Sequence, residues 1–226
     1  MLITVFGCRR VGASLIRRWI SDRGIRPWCF SLLSRRRLPP ITDPALDQVR
    51  TLGLEDGTYR SVLSTGLYGD LLKSTDAFVS VVRDPINSLA SVLQLGREAH
   101  DPEKPVLPAR ANSLILPMLF EDFLEIPPGG HLVIYERFIA SREYRDALAA
   151  DLGIEPNESA LDTYWGGRSL FGENLSAPSE LAVNERWKEA MDDPMYLWYL
   201  RYPGLLEARE TIYGPLPPEL KERLDG

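Results

Sequence analysis

A strand, a glycine loop and a helix at residues 2–20 constrain the fold more than any other segment. Leu2–Phe6 is a short apolar run rich in β-branched residues, and it ends at Gly7 as a buried strand does. The loop Gly7-Cys-Arg-Arg-Val-Gly12-Ala-Ser14 then leads into apolar positions 15, 16, 19 and 20, which predict a helix. Because free N–H groups at a helix N-terminus attract anions, this segment predicts a cradle for a phosphate-like group.

Strands and helices alternate along the rest of the chain. Further strands are predicted at Trp28–Leu33, Tyr59–Ser64, Ala77–Val82 and His131–Tyr135, and helices are predicted from Pro85 and over Arg142–Leu152. This alternation predicts an α/β fold with a central, mostly parallel sheet flanked by helices. No repeat or linker interrupts the pattern, so we expect a single domain over residues 1–226.

Composition excludes several functional classes. The net charge of −6 argues against a nucleic-acid or anionic-membrane partner, and no stretch approaches the ~20 apolar residues of a membrane span. Two cysteines are too few for a disulfide scaffold or a zinc finger. With few cysteines and no basic leader at the N-terminus, the expectation is a cytoplasmic protein. The sequence leaves the oligomeric state open.

The glycine loop separates classes of nucleotide-binding protein. A kinase or ATPase loop would carry lysine where Ala13 stands, so neither is predicted. A dinucleotide loop would carry glycine where Arg9 stands, yet Gly7 and Gly12 fit its outer positions. Arg35–Arg37 would suit a 2′-phosphate, so an NADP-dependent oxidoreductase on a Rossmann fold is one alternative. A nucleotide-binding module without catalysis is another.

Two motifs resemble those of sulfotransferases, which have a P-loop, nucleotide-kinase-like fold. Gly7–Ile16 is similar to their 5′-phosphosulfate loop: Arg10 matches its basic position, Gly12 its glycine and Ser14 its second hydroxyl. Val11 and Ala13 depart from the pattern and offer only their backbone N–H groups. Val82-Arg83-Asp84-Pro85, followed by Ser91, is similar to the family's 3′-phosphate motif, which implies that Arg83 and Ser91 hold the ribose phosphate.

Looser similarities extend the resemblance along the chain. They lie at Leu132–Glu136, at Trp165–Phe171 with Arg168, and at Arg186-Trp187-Lys188. The resemblance implies transfer of a sulfuryl group from 3′-phosphoadenosine 5′-phosphosulfate (PAPS), without a metal, to a hydroxyl or amine of a small-molecule or glycan acceptor. The product would be adenosine 3′,5′-bisphosphate (PAP). The implied donor-binding residues are Arg9, Arg10, Val11, Gly12, Ala13, Ser14, Arg83, Ser91 and Arg168.

Two residues are the predicted catalytic groups. Arg10 lies between Gly7 and Gly12, before a helix N-terminus, and is the predicted donor to the oxygen that bridges sulfate and phosphate. His100, in the polar loop after the Ser91 helix, is the candidate general base, since the histidine that many family members carry is absent between residues 58 and 75. Alternative bases are Asp70 and Glu98, whereas His131 fits a structural or exposed role.

The aromatic residues near the C-terminus fit two hypotheses. Tyr196, Trp198, Tyr199 and Tyr202 would either line an acceptor pocket or pack a helix into the core.

Overall fold

A computed structural model describes residues 1–7, 12–20, 50–55, 75–98, 120, 124, 126, 128–162 and 184–226. Among these residues, four parallel strands form one sheet in the spatial order β2-β1-β3-β4. The strands are β1 (Leu2–Gly7), β2 (Arg50–Glu55), β3 (Ala77–Val82) and β4 (His131–Ile134). Each neighbouring pair runs parallel.

Helices follow these strands and make up the C-terminal part of the chain. They are α1 (Ala13–Ile20), α2 (Pro85–Glu98), α3 (Tyr135–Ala140), α4 (Arg142–Leu152), α5 (Ser159–Asp162), α6 (Arg186–Ala190), α7 (Pro194–Leu200), α8 (Leu205–Tyr213) and α9 (Pro218–Asp225). A parallel sheet flanked by helices, with β1 leading through a glycine loop into α1, confirms the predicted P-loop-like α/β class. No helix of the described part is both long and apolar enough to span a membrane.

The chain divides into two compact units. The sheet unit comprises Met1–Val82 and Ile126–Leu161, and the helical unit comprises Arg83–Glu125 and Asp162–Gly226. A single domain over residues 1–226 remains a prediction.

The strands match the sequence pattern where that pattern is strongest. In β1, Ile3, Thr4 and Val5 are all fully buried, as expected of a parallel strand covered on both faces. The Thr4 hydroxyl is satisfied by the Thr75 hydroxyl at 2.8 Å. β3 has the predicted bounds and is buried over Phe78–Val82.

Three expected strands had other outcomes. Trp28–Leu33 and Tyr59–Ser64 lie outside the described residues. The strand predicted at His131–Tyr135 ends one residue earlier, because pairing with β3 stops at Ile134 and Tyr135 begins α3.

The strand β2 was not predicted, since its sequence Arg50-Thr-Leu-Gly-Leu-Glu55 has charged ends and a central glycine, which are depleted in strands. Its strand state follows from pairing with β1 at the sheet edge.

Caps define several helix ends as the sequence predicts. Helix α4 begins after Ser141, whose hydroxyl accepts the N–H of Tyr144 at 3.1 Å, and ends at Gly153 in the left-handed conformation. In the helical unit, α7 begins with Asp193 as its cap and Pro194 in the first turn.

Trp19 anchors the C-terminal end of α1 in the sheet unit. Its indole N–H donates to Glu158 Oε1 at 2.6 Å, and its ring packs edge-on against Phe138 with centroids 5.0 Å apart. The carbonyl of Trp19 accepts the N–H of Asn157 at 2.7 Å. These contacts fix the C-terminal end of α1, whereas the glycine loop precedes its N-terminal end.

Arg145 joins α4 to the same carboxylate. Its Nε and Nη2 donate to the two oxygens of Glu158 at 3.1–3.3 Å, and its Nη1 donates to the Phe138 carbonyl at 2.9 Å. Desolvation by itself raises the pKa of Glu158, but hydrogen bonds from Trp19 and Arg145 and the nearby arginine charges outweigh it and lower that pKa. Glu158 therefore acts as an ionised link between α1 and α4.

We expect Glu158→Gln to reduce stability mainly above the ordinary pKa of a glutamate. Because the folded-state pKa is lowered, the contribution of Glu158 is complete above the ordinary value and is lost as the pH falls through the folded value. At pH ~7 the free energy of unfolding should drop by about 1 kcal/mol, since the carboxylate is partly exposed. Urea denaturation at several pH values measures this difference, with the exposed Glu155→Gln as control. A loss of the same size at pH ~3 would contradict the role of the charge.

Candidate functional site

The ends of three adjacent strands define the edge of the sheet where the predicted motifs begin. Parallel register places Gly7 of β1 beside Val81 of β3, and Val82 of β3 beside Ile134 of β4. The chain continues into the glycine loop after β1, into Arg83 after β3 and into Tyr135 after β4. In open parallel sheets, ligands bind outside the carboxyl ends of the strands.

Gly12 can only be glycine in this arrangement. Its φ of +90° is a conformation that residues with a side chain rarely adopt. A Cβ at this position would lie 2.7 Å from Tyr135 Cζ and closer still to Cε2 and Cδ2 of the same ring. The glycine therefore lets the backbone of the loop pack directly against the aromatic ring that follows β4.

Gly12 also opens helix α1. Its carbonyl accepts the N–H groups of Leu15 and Ile16 at 2.9 and 3.3 Å, so the helix begins immediately after it. The first N–H groups of any α-helix have no carbonyl partner within the helix, and α1 has no acidic side chain in its first turn. This helix end can therefore accept an anion through Gly12, Ala13 and Ser14 backbone groups.

The side chains predicted around this helix end are not all described. Arg9, Arg10 and Val11 lie outside the described residues, and of Ser14 only the backbone is described. Their roles in binding and catalysis remain predictions.

In the helical unit, Asp84 fixes the start of α2. Its Oδ1 accepts the N–H of Ile86 at 3.1 Å, so Asp84 caps the helix, and Pro85 is the first helical residue, as predicted. Arg209 of α8 grips the same carboxylate through Nε to Oδ1 at 2.9 Å and Nη2 to Oδ2 at 2.7 Å. Arg83, which precedes this cap, is also buried.

The environment of Asp84 gives it a structural role. Burial raises the pKa of its carboxyl, while hydrogen bonds and charges from Arg209, the N–H of Ile86 and the charge of Arg83 act against that rise. Both carboxylate oxygens accept hydrogen bonds within the protein. Asp84 thus holds the helix start, where Arg83 begins the predicted 3′-phosphate motif.

Ser91 lies about two turns into α2, as the motif requires. It is fully buried, and its hydroxyl oxygen accepts a hydrogen bond from Nη1 of Arg186 at 2.8 Å. Arg186 is itself 3% exposed. Sequence reasoning missed this contact, because the two residues are 95 positions apart. The similarity noted at Arg186-Trp187-Lys188 pointed to the segment but not to its partner.

Tyr196 packs into the core of the helical unit. It is fully buried, donates its hydroxyl to the Ile86 carbonyl at 2.9 Å, and has a pKa that burial raises well above the ordinary value. Trp198 and Tyr202 are instead exposed. The core hypothesis for the aromatic cluster thus holds for Tyr196.

The candidate bases are placed as follows. His100, Asp70 and Arg168 lie outside the described residues, and the Glu98 side chain is not described although it ends α2. His131 is half-buried at the start of β4. Within the described part of the chain, no group of three or more His, Cys, Asp and Glu side chains is placed to hold a metal ion.

Comparison with known proteins finds a likeness in structure. No family model and no curated protein matches the sequence. The sulfotransferase domain of the olefin synthase from Synechococcus PCC 7002 is 18% identical with a TM-score of 0.41, over 74% of this chain and 60% of that one. The sulfotransferase domain from the curacin biosynthetic pathway is 15% identical with a TM-score of 0.33, over 78% and 62%. The chain thus spans about three fifths of the length of either domain.

We expect Gly12→Ala to destabilise the protein by about 3 kcal/mol, because the added Cβ combines backbone strain with overlap on the Tyr135 ring. Gly129→Ala is the matched control: its φ is +76°, but a Cβ there meets nothing within 4 Å, so only the strain remains. Denaturant midpoints of both variants measure the difference.

A double variant isolates the contact with the ring. In a Tyr135→Ala background, Gly12→Ala should cost about as little as the control does. An unchanged cost in that background would show that the ring does not hold the loop.

Proposed function

We propose that this protein is a sulfotransferase that moves a sulfuryl group from PAPS to a hydroxyl or amine of a small-molecule or glycan acceptor. The observation that carries the proposal is the arrangement after β3. Arg83 directly follows the strand, and Asp84 and Pro85 start α2. Ser91 lies about two turns along this helix, and its oxygen accepts a hydrogen bond from the buried Arg186. This is the order of groups that the 3′-phosphate motif requires. A cytoplasmic location remains a prediction from the sequence.

The glycine loop fits the 5′ end of such a donor. Gly12 lets the loop backbone turn at a φ of +90° against the Tyr135 ring, and the N-terminus of α1 attracts negative charge. In the proposed complex, Gly12, Ala13 and Ser14 donate backbone N–H groups to the 5′-phosphosulfate, and Val11 does the same from the loop. Arg9 and Arg168 contribute further positive charge to the donor.

The catalytic step needs a proton acceptor and a stabiliser of the leaving oxygen. PAPS, when bound, supplies the sulfuryl group. The proposed base is His100, ahead of Asp70 and Glu98. It takes the proton of the acceptor hydroxyl or amine while the oxygen or nitrogen of that group bonds to sulfur. Arg10 donates to the bridging oxygen, which receives the electron pair of the breaking S–O bond and leaves on PAP. As in phosphoryl transfer, positioning and charge stabilisation account for the rate.

The alternatives make different predictions about ligands. An NADP-dependent oxidoreductase would use Arg35–Arg37, which lie outside the described residues, and would gain thermal stability from NADPH but not from PAP. A non-catalytic module would bind PAP without releasing sulfate from PAPS. Thermal melting with PAP and NADPH, followed by a sulfate-release assay, separates the three functions.

We expect Arg83→Ala to weaken PAP binding by about ten- to a hundredfold and to leave adenosine 5′-phosphate binding nearly unchanged. Hydrogen bonds to charged groups contribute about 1.5–3 kcal/mol, and only PAP carries the 3′-phosphate. Calorimetric titration with both nucleotides measures the ratio of the two affinities.

Two further variants control this experiment. Arg223→Ala removes an exposed arginine of the helical unit, which pairs with Asp192, and should change neither affinity. Arg83→Lys keeps a charge in the buried position and should retain part of the preference for PAP, even if Arg83→Ala does not fold. A folded Arg83→Ala protein that binds both nucleotides as the parent does would refute the sulfotransferase assignment.

We expect Arg10→Ala to slow sulfuryl transfer by about a hundredfold or more while weakening PAP binding far less. Loss of one donor to a developing negative charge has an effect of about this size. Single-turnover release of sulfate from PAPS, with water as acceptor, measures the rate without knowledge of the natural acceptor. Equal losses in rate and in PAP affinity would assign Arg10 to binding alone.

A further inference from the structure

The contact between Ser91 and Arg186 has a direction fixed by chemistry. A guanidinium has only donors, so the hydroxyl oxygen of Ser91 is the acceptor in the 2.8 Å bond from Arg186. The one proton of that hydroxyl is then directed to a different acceptor. Because both side chains are buried, this bond is weakly screened by water and orients the hydroxyl strongly.

Helix α2 holds Arg186 in place through a second contact on the same face. The backbone N–H of Trp187 donates to Oδ1 of Asn87 at 3.4 Å, and Asn87 lies four residues before Ser91. Residues four apart on a helix are neighbours on one face. Trp187 is also buried, so α6 is fixed on α2 both by the arginine and by the residue that follows it.

The charge of Arg186 also acts on Glu189 of the same helix. Burial raises the pKa of the Glu189 carboxyl overall, and the positive charge of Arg186 reduces that rise. A hydroxyl that accepts a hydrogen bond from a cation becomes a stronger donor, since hydrogen bonds in a chain polarise one another. A serine hydroxyl within a helix commonly donates to a carbonyl of the preceding turn, and a bound anion would compete with that carbonyl for the Ser91 proton. A charged phosphate is the stronger acceptor of the two.

We propose that Arg186 is a positioning residue that orients and polarises the Ser91 hydroxyl toward the 3′-phosphate of the donor. This inference rests on the proposed function. Arg186 acts through Ser91 and does not itself contact the phosphate. The preference for a 3′-phosphorylated nucleotide then depends on α6, a segment 95 positions from the serine.

A double-mutant cycle tests this role. In the otherwise unchanged protein, Arg186→Met should weaken PAP binding by about tenfold and leave adenosine 5′-phosphate binding unchanged, the effect of one hydrogen bond to a charged group. In a Ser91→Ala background, the same substitution should change PAP affinity less than about twofold, because the hydroxyl that it orients is gone. Arg186→Lys should restore part of the preference for PAP.

Arg201→Met is the matched control. Arg201 is exposed in the same unit and donates to the Leu224 carbonyl, so its loss should leave the ratio of the two affinities unchanged. Thermal melting identifies any variant that does not fold. If Arg186→Met is among these, Arg186→Lys replaces it in the cycle, with a loss of about threefold expected in place of tenfold.

The outcomes separate the two proposals. If the unchanged protein binds PAP no better than adenosine 5′-phosphate, the proposed function is refuted and the role of Arg186 with it. If PAP is preferred but Arg186→Met lowers both affinities equally, or lowers neither, only the positioning role is refuted. If the losses from Arg186→Met and Ser91→Ala add, Arg186 contacts the phosphate itself, and the positioning role is again refuted.

Discussion

The close approach of Gly12 to Tyr135 is the constraint on which the sheet unit depends. A backbone with φ of +90° lies against an aromatic ring where a Cβ has no room. Tyr135 follows β4, two strands away from β1 in the sheet, so this contact ties the loop after β1 to the far end of the strand order. The other end of α1 is held by Trp19 and Glu158. The helix is thus fixed at both ends, which orients its N-terminal N–H groups.

The helical unit is organised by a different interaction, a buried ion pair. Asp84 caps α2 and also accepts hydrogen bonds from Nε and Nη2 of Arg209, whose Nη1 donates a third to the Gly214 carbonyl at 2.7 Å. Breaking such a pair leaves an uncompensated buried charge, which is costly even where the intact pair contributes little. The start of α2 is therefore fixed by α8, although the two lie far apart in sequence.

Features that depend on neighbouring residues were predictable from the sequence. The bounds of β3, the Asp84-Pro85 helix start and the Gly153 helix end all follow from local apolar patterns and caps. The partners of Asp84 and Ser91 were not predictable, since they lie 125 and 95 positions away and nothing local specifies them. The contact of Gly12 with Tyr135 was equally unpredictable. The sequence pattern places Gly12 in the loop, but the ring that leaves no room for a side chain there belongs to Tyr135, which follows β4.

These distant contacts share one face of α2. Asp84, Asn87 and Ser91 are three and four positions apart, the spacing of one helical face, and all three are buried. Each accepts a hydrogen bond from the C-terminal segment: Asp84 from the Arg209 guanidinium, Asn87 from the Trp187 N–H, and Ser91 from the Arg186 guanidinium. A buried polar group is costly without its partner, so a shift of the segment along α2 by one residue would leave these groups unsatisfied. Apolar contacts would tolerate such a shift more readily, and the polar stripe therefore sets the register.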